Sequence, residues 1–371
     1  MSDDRIIAIT MPKWGLSMQE GKVMEWLVEE GTELSMGDDV VDIETEKIAN
    51  TFEALDPGLF RKRVAAPDEI LPIGALLGVI APAEVSDADV AAFIAEFQAN
   101  YVPPEPEEEE GSGYENIEVN GQRIRYSKMG EAARSIILIH GFGGDAERWL
   151  FTQQPLAAES TVYAVDLPGH GQSTKDVGDG TVKSLAETVI GFMDALEIGA
   201  AYLVGHSLGG AVALQAALDA SDRIEGLSLI APAALGGEIN AEYINGFVAA
   251  KSRKEIKPLL QQLVADKALI NRSLINDILQ FKRIDGVTEA LTTISGQFQD
   301  GTQQTQNLAA QMEELEMPVQ VIWGSKDEII PASHANNVPD GVDVHILEGY
   351  GHLVQLEAVS EVNPLLLAHA S

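Results

Sequence analysis

The sequence contains no cysteine among its 371 residues. This absence excludes disulfide bonds, cysteine nucleophiles and thiolate metal ligands. No apolar run approaches the roughly 18–20 residues that a membrane-spanning helix needs. The start of the chain, MSDDRIIAIT, lacks the basic and apolar regions of a signal peptide. The seven histidines form no metal-ligand motif. These absences predict a cytoplasmic protein that uses neither a metal nor a membrane.

Basic residues are also scarce. The 24 lysines and arginines are outnumbered by 58 aspartates and glutamates, so the formal net charge is −34. Such a field repels phosphate-rich polymers, which argues against nucleic-acid binding. A length of 371 residues is typical of about two or three domains. The hydrophobic content of 45% is enough for well-packed cores.

The hydrophobic pattern changes along the first third of the chain. Short alternating runs separated by glycines over residues 5–80 predict a small all-β barrel or sandwich. Residues 86–99, SDADVAAFIAEFQA, have the spacing of an amphipathic helix with Ser86 as its N-cap. YVPPEPEEEEGSG then reads as an extended acidic linker. We therefore predict a β domain over residues 1–82, a helix and linker over 83–113, and a second domain over 114–371.

The second domain has the pattern of a mostly parallel, doubly wound α/β sheet, because apolar strands alternate with helical segments. The predicted strands are SIILIH (135–140), TVYAVD (161–166), AAYLVGH (200–206), GLSLIA (226–231), PVQVIW (318–323) and VDVHILE (342–348). A helix-rich stretch at about 236–312 interrupts this alternation. We expect it to form a cap over the carboxyl edge of the sheet.

The motif GHSLGG at residues 205–210 fits G-x-S-x-G between a strand and a helix, which is the context of a nucleophile elbow. Ser207 would need a base, since a serine hydroxyl alone is a poor nucleophile. Asp327 and His352 each follow a later strand, so a triad would form at the carboxyl edge. The backbone N–H groups of Phe142, in HGFGG, and Leu208 would form an oxyanion hole.

Each piece also has an ordinary structural explanation. Taken alone, G-x-S-x-G is often a glycine-rich turn, Asp327 a turn aspartate and His352 a loop histidine. Residues 141–146 also fit G-x-G-x-x-A, and Asp166 ends the next strand about 20 residues on, in outline a dinucleotide-binding fingerprint. The turn LPGHGQS follows Asp166, and the chain has candidates for a serine nucleophile, its base, its acid and its oxyanion hole. We therefore interpret Asp166 as a cap of local backbone.

Residues 114–371 resemble the α/β-hydrolase family through HGFGG, DLPGHGQS, GHSLGG, WGSKDEIIP and GYGH. Residues 5–80 resemble a lipoyl domain through MPKWGLSMQEGKVMEWLVEEGTELSMGD and DIETEKIA. This second resemblance implies that lipoate is bound covalently to Lys47, within ETEKI; the alternative is an unmodified turn lysine. A biotin carrier would have methionines beside the lysine, where this chain has Glu46 and Ile48.

A lipoyl domain fused to an α/β-hydrolase domain resembles the E2 component of the acetoin dehydrogenase system, a dihydrolipoamide acetyltransferase. The resemblance implies transfer of an acetyl group from lipoyl-Lys47 to coenzyme A. It also implies three partners: a thiamine-diphosphate-dependent E1, a dihydrolipoamide dehydrogenase E3 and a lipoate ligase. The chain departs from ordinary E2 proteins, because it lacks their H-x-x-x-D-G motif and residues 84–100 are too short for their peripheral-enzyme binding module.

The basic segment KSRKEIK at residues 251–257 stands out in an acidic chain. It is either a solvated helix face or a binding site for coenzyme A phosphates, formed by Lys251, Arg253, Lys254 and Lys257. Two other functions stay open for the second domain. It could be a thioesterase or esterase that hydrolyses the acyl group, or a scaffold with a vestigial triad.

Overall fold

The computed structural model describes residues 5–12, 20–35, 38–44, 49–54, 56–103 and 113–370. The chain divides into two compact units, Met1–Ser112 and Gly113–Ser371. The break falls one residue before the predicted start of the second domain. Within the described ranges, no helix is long and apolar enough to cross a membrane.

The first unit is a sandwich of two four-stranded sheets with the strand orders β1-β8-β6-β3 and β5-β4-β2-β7. Inward-facing side chains such as Val23, Phe60 and Leu77 are fully buried between them. This arrangement follows from the alternating pattern of the sequence, which gives each strand one apolar face. The strands are β1 (Ile7–Thr10), β2 (Glu20–Trp26), β3 (Glu33–Leu34), β4 (Asp39–Glu44), β5 (Ala49–Glu53), β6 (Gly58–Arg63), β7 (Ile70–Pro72) and β8 (Leu76–Ile80).

Helix α1 (Asp87–Asn100) completes the first unit. The Ser86 hydroxyl accepts a hydrogen bond from the Asp89 N–H, as the predicted N-cap should. The apolar stripe of α1 packs against β8, where Leu76 and Val79 are buried. A helix that the sequence analysis assigned to the segment between the domains therefore extends the β unit, because its stripe finds a partner there.

The second unit is built around an eight-stranded sheet with the order β18-β17-β14-β13-β11-β12-β10-β9. All neighbours from β12 to β18 pair in parallel, and β10 is antiparallel to both β9 and β12. The strands are β9 (Tyr114–Val119), β10 (Gln122–Met129), β11 (Ser135–Ile139), β12 (Thr161–Val165), β13 (Ala201–His206), β14 (Ile224–Ile230), β15 (Gln299–Asp300), β16 (Gln303–Gln304), β17 (Val319–Gly324) and β18 (Asp343–Leu347). The short β15 and β16 form a separate hairpin.

Helices cover both faces of this sheet, and so every residue of β12, β13 and β17 is buried. One face packs against α3 (Val182–Ala195) and α4 (Leu208–Asp219), and the other against α2 (Leu150–Leu156), α9 (Val354–Glu357) and α10 (Val359–His369). Between β14 and β17 the chain forms α5 (Ala241–Ala249), α6 (Arg253–Leu260), α7 (Arg272–Arg283) and α8 (Val287–Phe298). These four helices lie within the stretch predicted as a cap, and we call them the cap.

Candidate active site

The site lies where the order of the sheet reverses. Strands β11 and β13 are neighbours, and the connection that leaves β11 runs to β12 on one side whereas the connection that leaves β13 runs to β14 on the other. In open α/β sheets this crevice is where ligands bind. The segment after β11, residues 140–144, and Ser207, which follows β13, both lie at this point. We call residues 140–144 the oxyanion loop.

Ser207 is held in a strained turn between β13 and α4. Its φ of 54° and ψ of −118° lie outside the conformations that a residue with a side chain readily adopts. The flanking glycines are required, because a Cβ at Gly205 would lie 2.3 Å from the Gly209 carbonyl oxygen and one at Gly209 would lie 2.3 Å from that of Ile139. The Ser207 N–H donates to the Ile230 carbonyl at 2.9 Å, which ties the turn to β14.

Asp327 and His352 form a buried pair after β17 and β18. His352 Nδ1 lies 2.7 Å from Asp327 Oδ2, and the carboxylate is fully buried. Trp323 Nε1–H donates to the same oxygen at 2.9 Å, while the N–H groups of Ile329 and Ile330 donate to Oδ1 at 2.8 and 3.0 Å. Because the carboxylate only accepts, Nδ1 of His352 carries the proton, and Nε2 is left as a base.

The loop that carries His352 is anchored from two sides. His206 Nε2 lies 3.0 Å from the His352 carbonyl oxygen, and burial above all lowers the pKa of His206 well below 6.5. His206 is therefore neutral and donates this hydrogen bond. On the other side, the Glu357 carboxylate accepts from the N–H groups of Gly351 at 2.6 Å and Ala265 at 2.8 Å. Glu357 thus links the segment after α6 to the loop of the histidine.

One cavity of about 40 Å³ joins the predicted catalytic residues. Ser207, His352, Phe142 and Leu208 all line it. Among the described residues, neither the Phe142 nor the Leu208 backbone N–H finds a hydrogen-bond acceptor. Such free N–H groups, one of them at the start of α4, are what an oxyanion hole requires. The structure brings the predicted residues together, and their catalytic roles stay predictions.

The rest of the cavity wall was not predicted from the sequence. Tyr243 and Phe247 come from α5, Ile278 from α7 and Phe298 from α8. Their helical spacing looks the same as that of ordinary core residues, so the sequence carries no signal that separates them. Arg148, just after the oxyanion loop, also lines the cavity and forms no ion pair with any described residue.

Asp166 is fully buried and serves the backbone. Its Oδ1 accepts from the Ala146 N–H at 2.8 Å, and its Oδ2 accepts from the Gln172 N–H at 2.8 Å and from Arg125 at 3.0 Å. A Cβ at Gly171 would lie 2.0 Å from this carboxylate. The Asp166 carboxylate is therefore inaccessible to a ribose, and the interpretation of Asp166 as a local cap agrees with the structure.

The predicted coenzyme A cluster lies apart from the cavity lining. Lys251, Lys254 and Lys257 are exposed, and Arg253 donates through Nε to Asn276 Oδ1 at 3.0 Å. None of the four lines the catalytic cavity, whereas Leu260, at the other end of α6, does. Their role in binding coenzyme A stays a prediction.

Lys47 lies outside the described residues. The strands on either side of it are described: β4 and β5 pair antiparallel, with Glu44 opposite Ala49. A connection between two adjacent antiparallel strands fits a lysine that carries a covalent group. Lipoylation of Lys47 stays a prediction.

Comparisons with known proteins address both units. The family model described as "Biotin-requiring enzyme" matches residues 7–80, and the model described as "alpha/beta hydrolase fold" matches residues 134–359. A solved structure of a meta-cleavage product hydrolase from Pseudomonas fluorescens IP01 aligns with a TM-score of 0.62 and 24% identity. The alignment covers 69% of this chain and 96% of that one, and it shows the fold of the second unit.

Two relatives match nearly the whole chain, and both are named "Dihydrolipoyllysine-residue acetyltransferase component of acetoin cleaving system". The protein from Cupriavidus necator is 45% identical over 364 residues, which is 98% of this chain and 97% of the relative. The protein from Pseudomonas putida is 45% identical over 366 residues, 98% of each chain. These matches confirm the two predicted folds and the predicted acyltransferase class. The chain belongs to the family of dihydrolipoyllysine-residue acetyltransferase components of acetoin cleaving systems.

Proposed function

We propose that the chain transfers an acetyl group from a lipoyl group on Lys47 to coenzyme A, with Ser207 as the covalent carrier. The observation that carries this proposal is the shared cavity, in which Ser207 lies beside a histidine whose tautomer is fixed by Asp327. When bound to Lys47, lipoate supplies the thiol that holds the acetyl group as a thioester.

Ser207 and His352 perform the first half of the reaction. His352 Nε2 takes the Ser207 proton as Oγ attacks the acetyl carbonyl, and the Phe142 and Leu208 N–H groups stabilise the oxyanion. His352 then returns the proton to the sulfur of the departing thiol. The carbon–sulfur bond breaks, and an ester on Ser207 remains.

The second half reverses these roles. His352 takes the proton from the thiol of coenzyme A, whose sulfur attacks the ester carbon. The carbon–oxygen bond to Ser207 then breaks, and His352 returns the proton to Oγ. Throughout, Asp327 stabilises the imidazolium and keeps Nε2 directed at the reacting atoms.

Helix α6 supports a path for coenzyme A. Leu260 lines the cavity, and Arg253 starts the helix at the far end. At about 1.5 Å per residue, these two residues lie roughly 10 Å apart along the axis. Coenzyme A separates its thiol from its phosphates by an extended arm. This spacing supports binding of the phosphates by the basic end of α6 while the thiol reaches Ser207.

The family also supports the wider setting. As part of an acetoin cleaving system, the chain would work in the cytoplasm with a thiamine-diphosphate-dependent E1 and a dihydrolipoamide dehydrogenase E3. A lipoate ligase would load Lys47. Because the usual binding module for E1 and E3 has no counterpart in this sequence, these enzymes would have to recognise another surface.

The test uses the purified, lipoylated protein with acetylated dihydrolipoamide as donor. Acetyl-coenzyme A and free acetate are both followed in the wild type, Ser207→Ala and Ser295→Ala. Ser295 is the matched control, because it is as buried as Ser207 but hydrogen-bonds within α8 and does not line the cavity.

We expect acetyl-coenzyme A to dominate, to disappear in Ser207→Ala and to persist in Ser295→Ala. Acetate formed at one rate with and without coenzyme A would instead identify a thioesterase. Full transfer by Ser207→Ala would show that the second unit is a scaffold.

A further inference from the structure

The cavity beside Ser207 is closed by a wall of apolar and aromatic side chains. They come from the oxyanion loop and from three cap helices, and they are Phe142, Tyr243, Phe247, Ile278 and Phe298. Nothing in the triad or the oxyanion hole limits the length of an acyl group. The limit has to come from this wall.

Phe247 is the most firmly held member. It is 1% exposed, and its ring presses on the oxyanion loop: a Cβ at Gly143 would lie 2.4 Å from a ring carbon. The ring meets Phe142 edge to face with centroids 6.0 Å apart. Lys282, on α7, lies 5.0 Å above the ring and donates to the Phe247 and Val248 carbonyls. These contacts hold the ring in place beside the cavity that it lines.

Phe298 closes the wall from α8. Its ring centroid lies 5.4 Å from that of Phe142, again edge to face, and the side chain is 6% exposed. Phe142 thus packs between two cap phenylalanines, and its own backbone N–H has no acceptor among the described residues. An acyl chain extending away from the oxyanion hole meets these rings.

The volume of the cavity limits the size of the acyl group that it can hold. The observed cavity of about 40 Å³ is small beside the pockets of about 300–1,000 Å³ that hold drug-sized ligands. An acetyl group has three heavy atoms, and each further methylene extends the acyl chain towards the packed rings of the wall. Protein interiors are close-packed, so displacement of these rings is unfavourable.

We propose that Phe247 and Phe298 set the length of the acyl group that Ser207 accepts and restrict it to acetyl; this inference rests on the acyl transfer proposed above. Each additional methylene should lower kcat/KM by about 10–200-fold. Butyryl, with two more carbons, is then excluded by a factor of about 100 or more.

The test measures kcat/KM for p-nitrophenyl acetate, butyrate and hexanoate with the lipoylated full-length protein. Phe247→Ala and Phe298→Ala are compared with the wild type and with Phe281→Ala. Phe281 is the matched control, since it is a cap phenylalanine that stacks on His170 and does not line the cavity. We expect the butyrate-to-acetate ratio to rise at least about tenfold in Phe247→Ala and in Phe298→Ala, and to stay unchanged in Phe281→Ala.

An unchanged ratio in both variants, with circular dichroism like that of the wild type, overturns the proposal. If Phe247→Ala does not fold, Phe247→Leu keeps apolar bulk and should give a smaller rise in the same direction. Repeating the series with coenzyme A separates this inference from the function it rests on. A pure hydrolase would form no acyl-coenzyme A at any chain length, yet it would still show the altered ester preference.

Discussion

Replacing Asp327 by asparagine tests how the site fixes the tautomer of His352. Four donors converge on the Asp327 carboxylate: the N–H groups of Ile329 and Ile330 on Oδ1, and Trp323 and His352 on Oδ2. Asparagine has nearly the same shape but only one acceptor oxygen. In the variant, the amide oxygen can therefore accept from only one of the two pairs of donors, and the amide nitrogen faces the other pair.

The backbone N–H groups of Ile329 and Ile330 determine this orientation of the amide. Were the amide nitrogen to face Ile329 and Ile330, two N–H groups that have no alternative would be left unpaired, at about 1–3 kcal/mol each. The oxygen therefore stays on the backbone side, and the amide nitrogen faces Trp323 and His352. Trp323 keeps a second acceptor, the Ile330 carbonyl at 3.2 Å. His352 adapts by moving its proton from Nδ1 to Nε2.

That proton would lie on the nitrogen that has to accept the Ser207 hydrogen. We expect kcat to fall about 10⁴-fold, as in serine enzymes whose triad aspartate is replaced by asparagine. This loss corresponds to about 5.5 kcal/mol of transition-state stabilisation. Because the two side chains have nearly equal volume and the backbone bonds survive, the variant should fold.

The assay is single-turnover formation of acetyl-coenzyme A, with circular dichroism as the folding check. Trp323→Phe is the control, because it removes one donor to Asp327 without reversing the tautomer, and its rate should fall much less than that of Asp327→Asn. If Asp327→Asn retained more than a tenth of the wild-type rate while Ser207→Ala was inactive, the reasoning from the tautomer would be refuted.

Three further predictions concern stability and coenzyme A. First, burial is the main cause that lowers the pKa values of the buried His140, His170 and His206, so the unfolded chain takes up these protons before the folded chain does as the pH falls. The free energy of unfolding should therefore decrease as the pH falls from 6.5, as urea titrations would show. For His170 and His206, whose pKa values lie well below 6.5, the slope approaches about 1.4 kcal/mol per histidine per pH unit. A flat profile from pH 7.5 to 5.5 would contradict this. Second, Gly209→Ala should lower the melting temperature, whereas Gly296→Ala, in α8 with open space around it, should stabilise by about 0.5–1 kcal/mol. Equal shifts would contradict the close packing at the elbow. Third, we replace four residues together by alanine: Lys251, Arg253, Lys254 and Lys257. This change should raise the KM for coenzyme A but leave the hydrolysis of p-nitrophenyl acetate unchanged. An unchanged KM would identify the cluster as a solvated helix face.

The candidate triad could be predicted from sequence because each of its members is tied to a local motif at the end of a strand. Residues after parallel strands share one edge of the sheet whatever the details of the helices. Chain order and the two glycines around Ser207 therefore sufficed to place Ser207 with His352 and Asp327. The same holds for Asp166, whose following turn already indicated a local cap.

The cavity wall could not be predicted, for a physical reason. Periodicity identifies the apolar face of a helix, but it does not identify the surface on which that face packs. Phe247, which lines the site, and Phe281, which does not, both pack in the same hydrophobic core from cap helices, α5 and α7. The same holds for helix α1. The sequence showed its apolar stripe, but it did not show that this stripe packs against β8.

The triad by itself does not exclude hydrolysis, since His352 could take a proton from water as well as from a thiol. The distinction has to come from what the cavity admits. A buried water needs two to four polar partners, and apart from Tyr243 and Arg148 the wall offers mainly phenyl rings and aliphatic side chains. An acetyl group on Ser207 would also take up part of this small cavity. A thiol on a long arm enters from outside and brings its own binding contacts, such as those of a phosphate with the basic end of α6. The mainly apolar lining that the cap contributes therefore favours transfer in a fold whose triad would serve either reaction.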